Sequence, residues 1–541
     1  MQHIQTIRIL TTMNTLTFAE LASLLAQYDL LEQATPSSST TPLSIFGAAS
    51  DSRAVRAGNL FICKGAAFKP QFLQSALASG AVAYLCTAQK FNELAPLAPN
   101  VPALVVNDVR RAMAYVSAAA WGSPDQDINI AGITGTKGKS TVAYMLRSIC
   151  DKGTPYSRTS IMGSIETYDG IEREESHNTT PEAPDLWRHL ANAKTSNHSP
   201  MIMEVSSQAL KYDRVLGLHL SVAGWLNIGR DHISPNEHAD FEDYFTSKLK
   251  LFSLTNNAVI NLETDQLDRV LDAASNVQKL TGFSAQGPAA HSYTSANGST
   301  HALAPSIWAE AIAPSFGSIR FICHTPQWTD TVLLSMAGLF NVDNALCAIG
   351  MAQHMGYSKQ EICDGLANCH VPGHMEISPA STKHVVGLID YAHNRLSFQK
   401  FFSSVKKEFA GRKIIAVYGC AGGKAFERRK ELPEEAAKWC DLSIYTSEDP
   451  WNEPTEKICA EMAAHTPCGV AYEVIPDRTA AIQRAVQVAQ NEEQDSIICL
   501  LAKGDEVEMH LGNEFIPMTP DGDVFAQAMA LYNTPNSEGL R

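Results

Sequence analysis

The chain has 541 residues, 45% of them hydrophobic and 18% charged, enough for about three domains that each bury a core, and disorder and a coiled coil are excluded. Forty-two Lys and Arg against 57 Asp and Glu leave a net charge of -15, which argues against a general nucleic-acid footprint but allows a nucleotide held by local donors. No run of about 18 uncharged apolar residues could span a bilayer, and the N-terminus lacks the features of a secretory signal, so a soluble, cytoplasmic protein is expected.

Residues 1–14 read as an untidy start. Apolar spacing predicts a first helix over Leu16 to Leu31, and the Ser/Thr/Pro-rich run Thr35 to Pro42 reads as a loop. Asn59 to Cys63 and Ala81 to Leu85 read as short strands of a small α/β unit. Trp121-Gly122-Ser123-Pro124 breaks that pattern, and the apolar run Ile128 to Ile133 opens a second domain, taken from Asp125. Within it, the polar stretch Ser284 to Ser306 reads as an irregular hairpin region or a surface insertion. The next break is His370-Val371-Pro372-Gly373. Beyond it, strands at Val385 to Ile389, Lys413 to Tyr418, Leu442 to Thr446 and Ile497 to Leu501 alternate with helical stretches such as Glu434 to Trp439 and Thr479 to Ala489. Such alternation predicts a mostly parallel, doubly wound α/β domain. The expected division is 1–124, 125–372 and 373–541, all α/β. The twelve cysteines contain no CxxC pair, so neither a zinc site nor a redox dithiol is indicated, and most are expected to be reduced and packed.

The sharpest chemical signal is Gly132-Ile133-Thr134-Gly135-Thr136-Lys137-Gly138-Lys139-Ser140-Thr141, between an apolar strand and the helical run Val142 to Cys150. Glycines let backbone N–H groups approach phosphate oxygens, a helix N-terminus supplies positive potential, Lys139 can reach terminal phosphates and Ser140 can ligate magnesium. The strict GxxxxGK[ST] spacing is missed, because five residues separate Gly132 from Gly138. Glu204, near the end of the apolar run Met201 to Val205, is either a metal ligand or a satisfied structural carboxylate. His232, in Arg230-Asp231-His232, is a ligand or a packed side chain. Phe241, Tyr244, Phe245 and Phe252 mark one helix face, and Lys248 falls on it at i+7 from Phe241. That lysine either snorkels, pairs with an acid, or reacts as a neutral amine with CO2 to give a carbamate that can ligate magnesium.

These residues, together with His-Asn-Thr-Thr-Pro-Glu (177–182), Met-Glu-Val-Ser-Ser-Gln-Ala-Leu (203–210), Ser-Lys-Leu-Lys-Leu-Phe (247–252), Gly-Leu-Phe-Asn-Val-Asp-Asn-Ala (338–345), Val-Pro-Gly-His-Met-Glu (371–376) and Asp-Tyr-Ala-His (390–393), resemble in this order the Mur ligases. The resemblance runs from Asp51-Ser52-Arg53 to Lys503-Gly504-Asp505-Glu506. It implies an N-terminal uridine-nucleotide domain, a central ATPase domain and a C-terminal domain that closes over ATP and delivers an amino acid. By resemblance, Ser52 faces the UDP moiety, and Asn178, Thr179, Thr180, Ser206 and Arg214 hold a UDP-MurNAc-dipeptide. Gly135, Thr136, Lys137, Gly138, Lys139, Ser140 and Thr141, with Asn341, Asn344, His374 and Asp390, bind ATP. Ser140, Glu204, His232 and Lys248, the last as its carbamate, bind magnesium, and Lys139, Glu204, His232 and Lys248 form the catalytic group. His374 stands where the family has an arginine.

The implied reaction is ATP-dependent addition of the third amino acid to UDP-MurNAc-L-Ala-D-Glu through an acyl phosphate, by a monomer that needs neither nucleic acid nor a membrane span. Two departures bear on the amine. The branch using meso-diaminopimelate reads Asp-Asn-Pro-Arg where this chain has Glu448-Asp449-Pro450-Trp451, and Asp505 stands where histidine is usual. Glu448, Asp449, Asp505 and Glu506 either surround an incoming side-chain ammonium, which points to L-lysine, or are solvated loop acids. L-Ornithine, meso-diaminopimelate, a folylpolyglutamate-type ligase and a non-catalytic nucleotide sensor are the alternatives.

Overall fold

The computed structural model describes residues 16–35, 41–65, 67–152, 158–176, 178–234 and 237–533. The untidy start at 1–14 and the centre of the Thr35 to Pro42 loop lie outside the described residues. Two compact units emerge, Met1–Trp308 with Leu346–Gly365, and Ala309–Ala345 with Leu366–Arg541.

In the first unit, a five-stranded sheet runs in the order Leu31–Thr35, Ala103–Val106, Ala83–Thr87, Leu60–Ile62, Ala48–Ala49, with only the first pair antiparallel. The helix expected over Leu16 to Leu31 is shorter, Phe18–Gln27, flanked by the strands Leu16–Thr17 and Leu31–Thr35. Thr17 and Glu20 start it with a reciprocal capping box. Asp29, at φ 55, turns the chain out of helical conformation, although the apolar spacing continues.

A larger sheet of this unit follows the order Arg173–Glu175, Glu166–Tyr168, Ser160–Met162, Met201–Glu204, Ile130–Thr134, Val222–Trp225, Asn257–Asn261, Lys279–Ser284. From Ser160–Met162 onward its strands are parallel. Ile130–Thr134 lies in the middle with every residue buried, as an apolar strand covered on both faces must be. The two layers share one apolar core, in which Leu104, Val106 and Met113 join Leu186, Trp187 and Leu210. The polar stretch after Ser284 forms the antiparallel hairpin His291–Thr294 and Thr300–Leu303.

The second unit holds the hairpin Ser318–His324 and Thr329–Leu334 and a six-stranded sheet. Its order is Glu376–Ile377, Val385–Asp390, Ser496–Leu501, Lys413–Tyr418, Leu442–Tyr445, Tyr472–Val474, parallel after the first pair. The helical stretch expected over Glu434 to Trp439 lies earlier, at Arg428–Ala436, and runs through Pro433. Its first turn is drawn inward because the buried Arg429 pairs with Glu453 at 2.8 Å and Glu461 at 2.7 Å. Among the described residues no helix is long and apolar enough to cross a membrane.

Candidate active site

In the first unit, the chemistry collects where parallel strands end, the usual place for a ligand crevice in such sheets. Gly132 belongs to the strand Ile130–Thr134, where an added Cβ would meet Leu220 at 2.5 Å. The phosphate loop is therefore Gly135 to Gly138, a Gly-x-x-Gly-Lys-Ser stretch shorter than the strict GxxxxGK[ST] spacing. Gly138, at φ 92, caps the helix Lys139–Cys150, so Ser140 and Thr141 occupy its first turn.

Asn227, not singled out from the sequence, holds this loop. Its Oδ1 accepts from Lys137 N at 2.9 Å, its Nδ2 donates to Lys137 O at 2.9 Å, and its carbonyl accepts from Thr136 N at 3.0 Å. Thr136 Oγ1 lies 3.0 Å from Tyr244 Oη and accepts from Gly229 N at 3.0 Å. Lys137 pairs with Asp231 at 3.2 Å.

Lys139 donates to Gly135 O at 3.1 Å. Lys248 is buried, donates to the same carbonyl at 3.0 Å and to Thr134 Oγ1 at 3.3 Å, and lies over the Tyr244 ring at 5.0 Å. No ion pair reaches either amine among the described residues. Burial, and then the neighbouring Lys139, holds the Lys248 amine well below its ordinary range, and burial also lowers Lys139. Such a lysine is a competent neutral nucleophile.

Glu204, the last residue of its strand, is buried, and its two oxygens accept from Ser164 N at 2.9 Å and Ser164 Oγ at 3.2 Å. His232 is half-exposed at φ 55, stacks on Tyr244 and has Nδ1 2.8 Å from Glu237. Lys248 thus reaches the loop directly, while Glu204 is held by Ser164 and His232 by Tyr244 and Glu237. Among the described residues, the acidic and histidine donors spaced for a metal are instead Asp169, Glu172 and His189. That cluster is satisfied internally: Asp169 Oδ2 takes His189 Nδ1 at 2.7 Å and Asn192 Nδ2 at 2.8 Å, and Oδ1 takes the amides of Ile171 and Glu172.

Thr180 ties the expected substrate residues together. Its Oγ1 donates to Glu204 O at 2.8 Å and accepts from Ser206 N at 3.0 Å, while its carbonyl accepts from Arg214 at 2.9 Å. Arg214 and Lys64 both pair with Glu182, at 3.1 and 2.8 Å. Thr179 Oγ1 lies 2.9 Å from Ser164 Oγ, and Asn178 is exposed. Ser52 sits in the turn where Arg53 bonds back to Asp51.

In the second unit, Asn341 donates to Ala337 O at 2.7 Å and accepts from Asn344 at 2.8 Å, so the two form one buried pair. Glu408 fixes the preceding turn by accepting from the amides of Gly338 and Leu339. Asp390 accepts from Met375 N at 2.9 Å and so pins the turn that carries His374, whose ring meets Tyr391 edge-on at 5.0 Å.

The four acids expected around an ammonium do not form one ring. Lys503, almost fully buried, pairs with Asp449 at 2.9 Å and with Glu506, and these carboxylates raise its ammonium against the opposing effect of burial. Asp505 instead accepts from Tyr391 Oη at 2.5 Å. Glu448 is buried, and burial, aided by Asp449, pushes its carboxyl up to about 7.

Two family descriptions match this sequence: "Mur ligase middle domain" over residues 133–352 and "Mur ligase, glutamate ligase domain" over 373–504. The chain is 34% identical over 490 residues to "UDP-N-acetylmuramoyl-L-alanyl-D-glutamate--L-lysine ligase" of Enterococcus faecalis, covering 90% of this chain and 91% of the relative. It is 32% identical to "UDP-N-acetylmuramyl-tripeptide synthetase" of Bifidobacterium longum, covering 95% and 100%. Its fold is similar to the solved structure of "UDP-N-acetylmuramoyl-L-alanyl-D-glutamate--2, 6-diaminopimelate ligase", with a TM-score of 0.64, 22% identity, and 96% and 99% of the two chains covered.

Proposed function

The chain belongs to the Mur ligase family, and on that premise we propose that it is an ATP-dependent ligase adding L-lysine to UDP-MurNAc-L-Ala-D-Glu in peptidoglycan precursor synthesis. The observation that carries the reading is the pair of amines, Lys139 and Lys248, set against one phosphate loop without a carboxylate partner among the described residues. Lys139 beside the loop amides suits the terminal phosphates of a triphosphate, and Lys248 suits conversion to an oxygen ligand. The relative named as an L-lysine ligase supports the choice of amine.

Loop amides and Lys139 orient the terminal phosphates of ATP. The dipeptide carboxylate, held by Thr179, Thr180, Ser206 and Arg214 with Asn178 at the rim and Ser52 toward the uridine, attacks the γ-phosphorus, and ADP leaves. The incoming amine then attacks the acyl carbon, loses a proton and expels phosphate, with Lys139 offsetting charge on the tetrahedral oxygen. Within the second unit, Asn341, Asn344, His374 and Asp390 are proposed, by the family resemblance, as nucleotide-binding residues. Ser140, Glu204 and a Lys248 carbamate offer oxygen donors of the kind magnesium takes, and His232 would join them only on leaving Glu237; when bound, the ion would neutralise phosphate oxygens. Lys248 fits the carbamate because its amine is buried, enters no ion pair among the described residues and is held well below its ordinary range, so CO2 can add to the nitrogen with loss of one proton.

We keep the three-domain division at 124/125 and 372/373; a family match that opens at residue 373 supports the later boundary. All twelve cysteines are free, in keeping with a reducing, cytoplasmic setting, and a monomer is the oligomeric state we propose. Phosphate release measured with ATP, the UDP-dipeptide and L-lysine tests the reading. Release should require all three; equal release with ATP alone, or none with the full set, contradicts it.

A further inference from the structure

We propose that Ser164 is a positioning residue that couples two ligands of this site: its hydroxyl proton holds Glu204 while the dipeptide is absent, and dipeptide binding turns that proton away, leaving one carboxylate oxygen open to a divalent cation. The proposal rests on the ligase reading above and deepens it.

Ser164 lies in the turn between the strands Ser160–Met162 and Glu166–Tyr168. The buried Glu166 fixes this turn. Its Oε1 accepts from Tyr144 Oη and from Arg147, both at 2.8 Å, and its carbonyl accepts from Gly163 N at 3.1 Å. Tyr144 and Arg147 belong to the helix Lys139–Cys150, so the turn is tied to the helix that the phosphate loop opens. Gly163 packs directly on the Glu204 carboxylate, with no room there for a Cβ. From this anchored turn Ser164 takes both oxygens of Glu204, its N–H on Oε1 at 2.9 Å and its hydroxyl on Oε2 at 3.2 Å. The same hydroxyl lies 2.9 Å from Thr179 Oγ1. Glu204 is buried, whereas Ser164 is exposed and Thr179 half-buried, within reach of a ligand.

A count of protons gives the chain a direction. Each hydroxyl carries one proton, and a carboxylate only accepts. Ser164 spends its proton on Glu204, so Thr179 donates to Ser164, and both protons point toward Glu204. A dipeptide carboxylate arriving at Thr179 needs the proton that Thr179 gives to Ser164. Thr179 can supply it and keep its contact with Ser164 only if the Ser164 hydrogen turns from Glu204 to Thr179. The bond surrendered is the longer of the two, 3.2 against 2.9 Å. Oε2 is then without a hydrogen bond among the described residues, while Ser164 N still orients Oε1. A buried carboxylate oxygen without a donor is costly, and a hard divalent cation is the partner that suits it. Linkage makes the effect reciprocal, so a cation at Oε2 strengthens dipeptide binding by the same factor.

Calorimetry of UDP-MurNAc-L-Ala-D-Glu binding, in excess Mn2+ and in EDTA and without ATP, reads this coupling. In the wild type, Mn2+ should lower the dipeptide Kd about 10-fold. In Ser164→Ala the two Kd values should agree within about 2-fold, with the melting temperature near that of the wild type because the side chain is exposed. Ser164→Thr, which keeps the hydroxyl, should restore most of the difference. A wild-type Kd indifferent to Mn2+ overturns the proposal, as does a Ser164→Ala variant that keeps the wild-type ratio or an equal loss in the Ala and Thr variants. Phosphate release by the same wild-type protein with ATP, the dipeptide and L-lysine separates the two readings: release without coupling removes this proposal alone, and no release removes both.

Discussion

The two units bury their cations in opposite ways. Beside the phosphate loop, Lys139 and Lys248 meet only carbonyl and hydroxyl oxygens. In the second unit, Arg478 is buried with Asp521 on its Nε at 2.7 Å and the carbonyls of Ser447 and Leu501 on its remaining nitrogens, and Lys503 is held by Asp449 and Glu506. A buried charge costs several kcal/mol unless it is paired, so the second arrangement is scaffold, while in the first burial lowers both amines and leaves them open to chemistry. Pairing, more than burial, separates chemistry from architecture in this molecule.

The comparison makes unequal demands on its residues. Removing an unpaired amine should abolish activity with little loss of fold: Lys248→Ala should bring turnover to background while its melting temperature stays near that of the wild type, and short carboxylates should restore part of the activity. Unaided full activity of that variant breaks the comparison. Removing a paired cation should do the reverse. Arg478→Met leaves Asp521 buried without its partner and should cost about 3–5 kcal/mol in denaturant unfolding; a loss below about 1 kcal/mol would show that the pair is not scaffold.

Lys139→Ala should lower kcat at least about 100-fold, the effect of one lost contact to developing charge, with KM for the UDP-dipeptide little changed. An effect confined to dipeptide affinity would move ATP elsewhere. The smallest effect concerns Glu448. Its folded carboxyl is raised from the ordinary 4.5 to about 7, so between those values the folded state binds the proton more tightly and stability falls as pH rises. Glu448→Gln should therefore melt a few degrees above the wild type at pH 8 and level with it near pH 4. Equal melting at both pH values would mean that the carboxyl is not destabilised by burial.

Legibility from sequence followed the same division. The loop, Glu204 and Lys248 were readable because each lies within a short motif whose period or flanking strand reveals its direction. Asn227, Ser164 and Tyr244 support those groups from separate elements, and only the fold brings them together; Ser164 lies 40 residues from Glu204. In the second unit the acids were visible and their partners were not. Asp505 turns to Tyr391, 114 residues away in the chain, and Lys503 neutralises Asp449 and Glu506, which the sequence left either around an ammonium or as solvated loop acids. The first helix was overextended for a local reason, since the left-handed Asp29 interrupts a pattern whose apolar residues continue into a strand.

The central claim is that an ATP-driven ligation ends on a basic amine. Offering L-lysine, L-ornithine and meso-diaminopimelate in competition, with ATP and the UDP-dipeptide, and weighing the products by mass spectrometry tests it most directly. The lysine product should dominate, ornithine should follow, its shorter side chain costing about 1–3 kcal/mol, and meso-diaminopimelate should come last. Equal or greater incorporation of meso-diaminopimelate would contradict it.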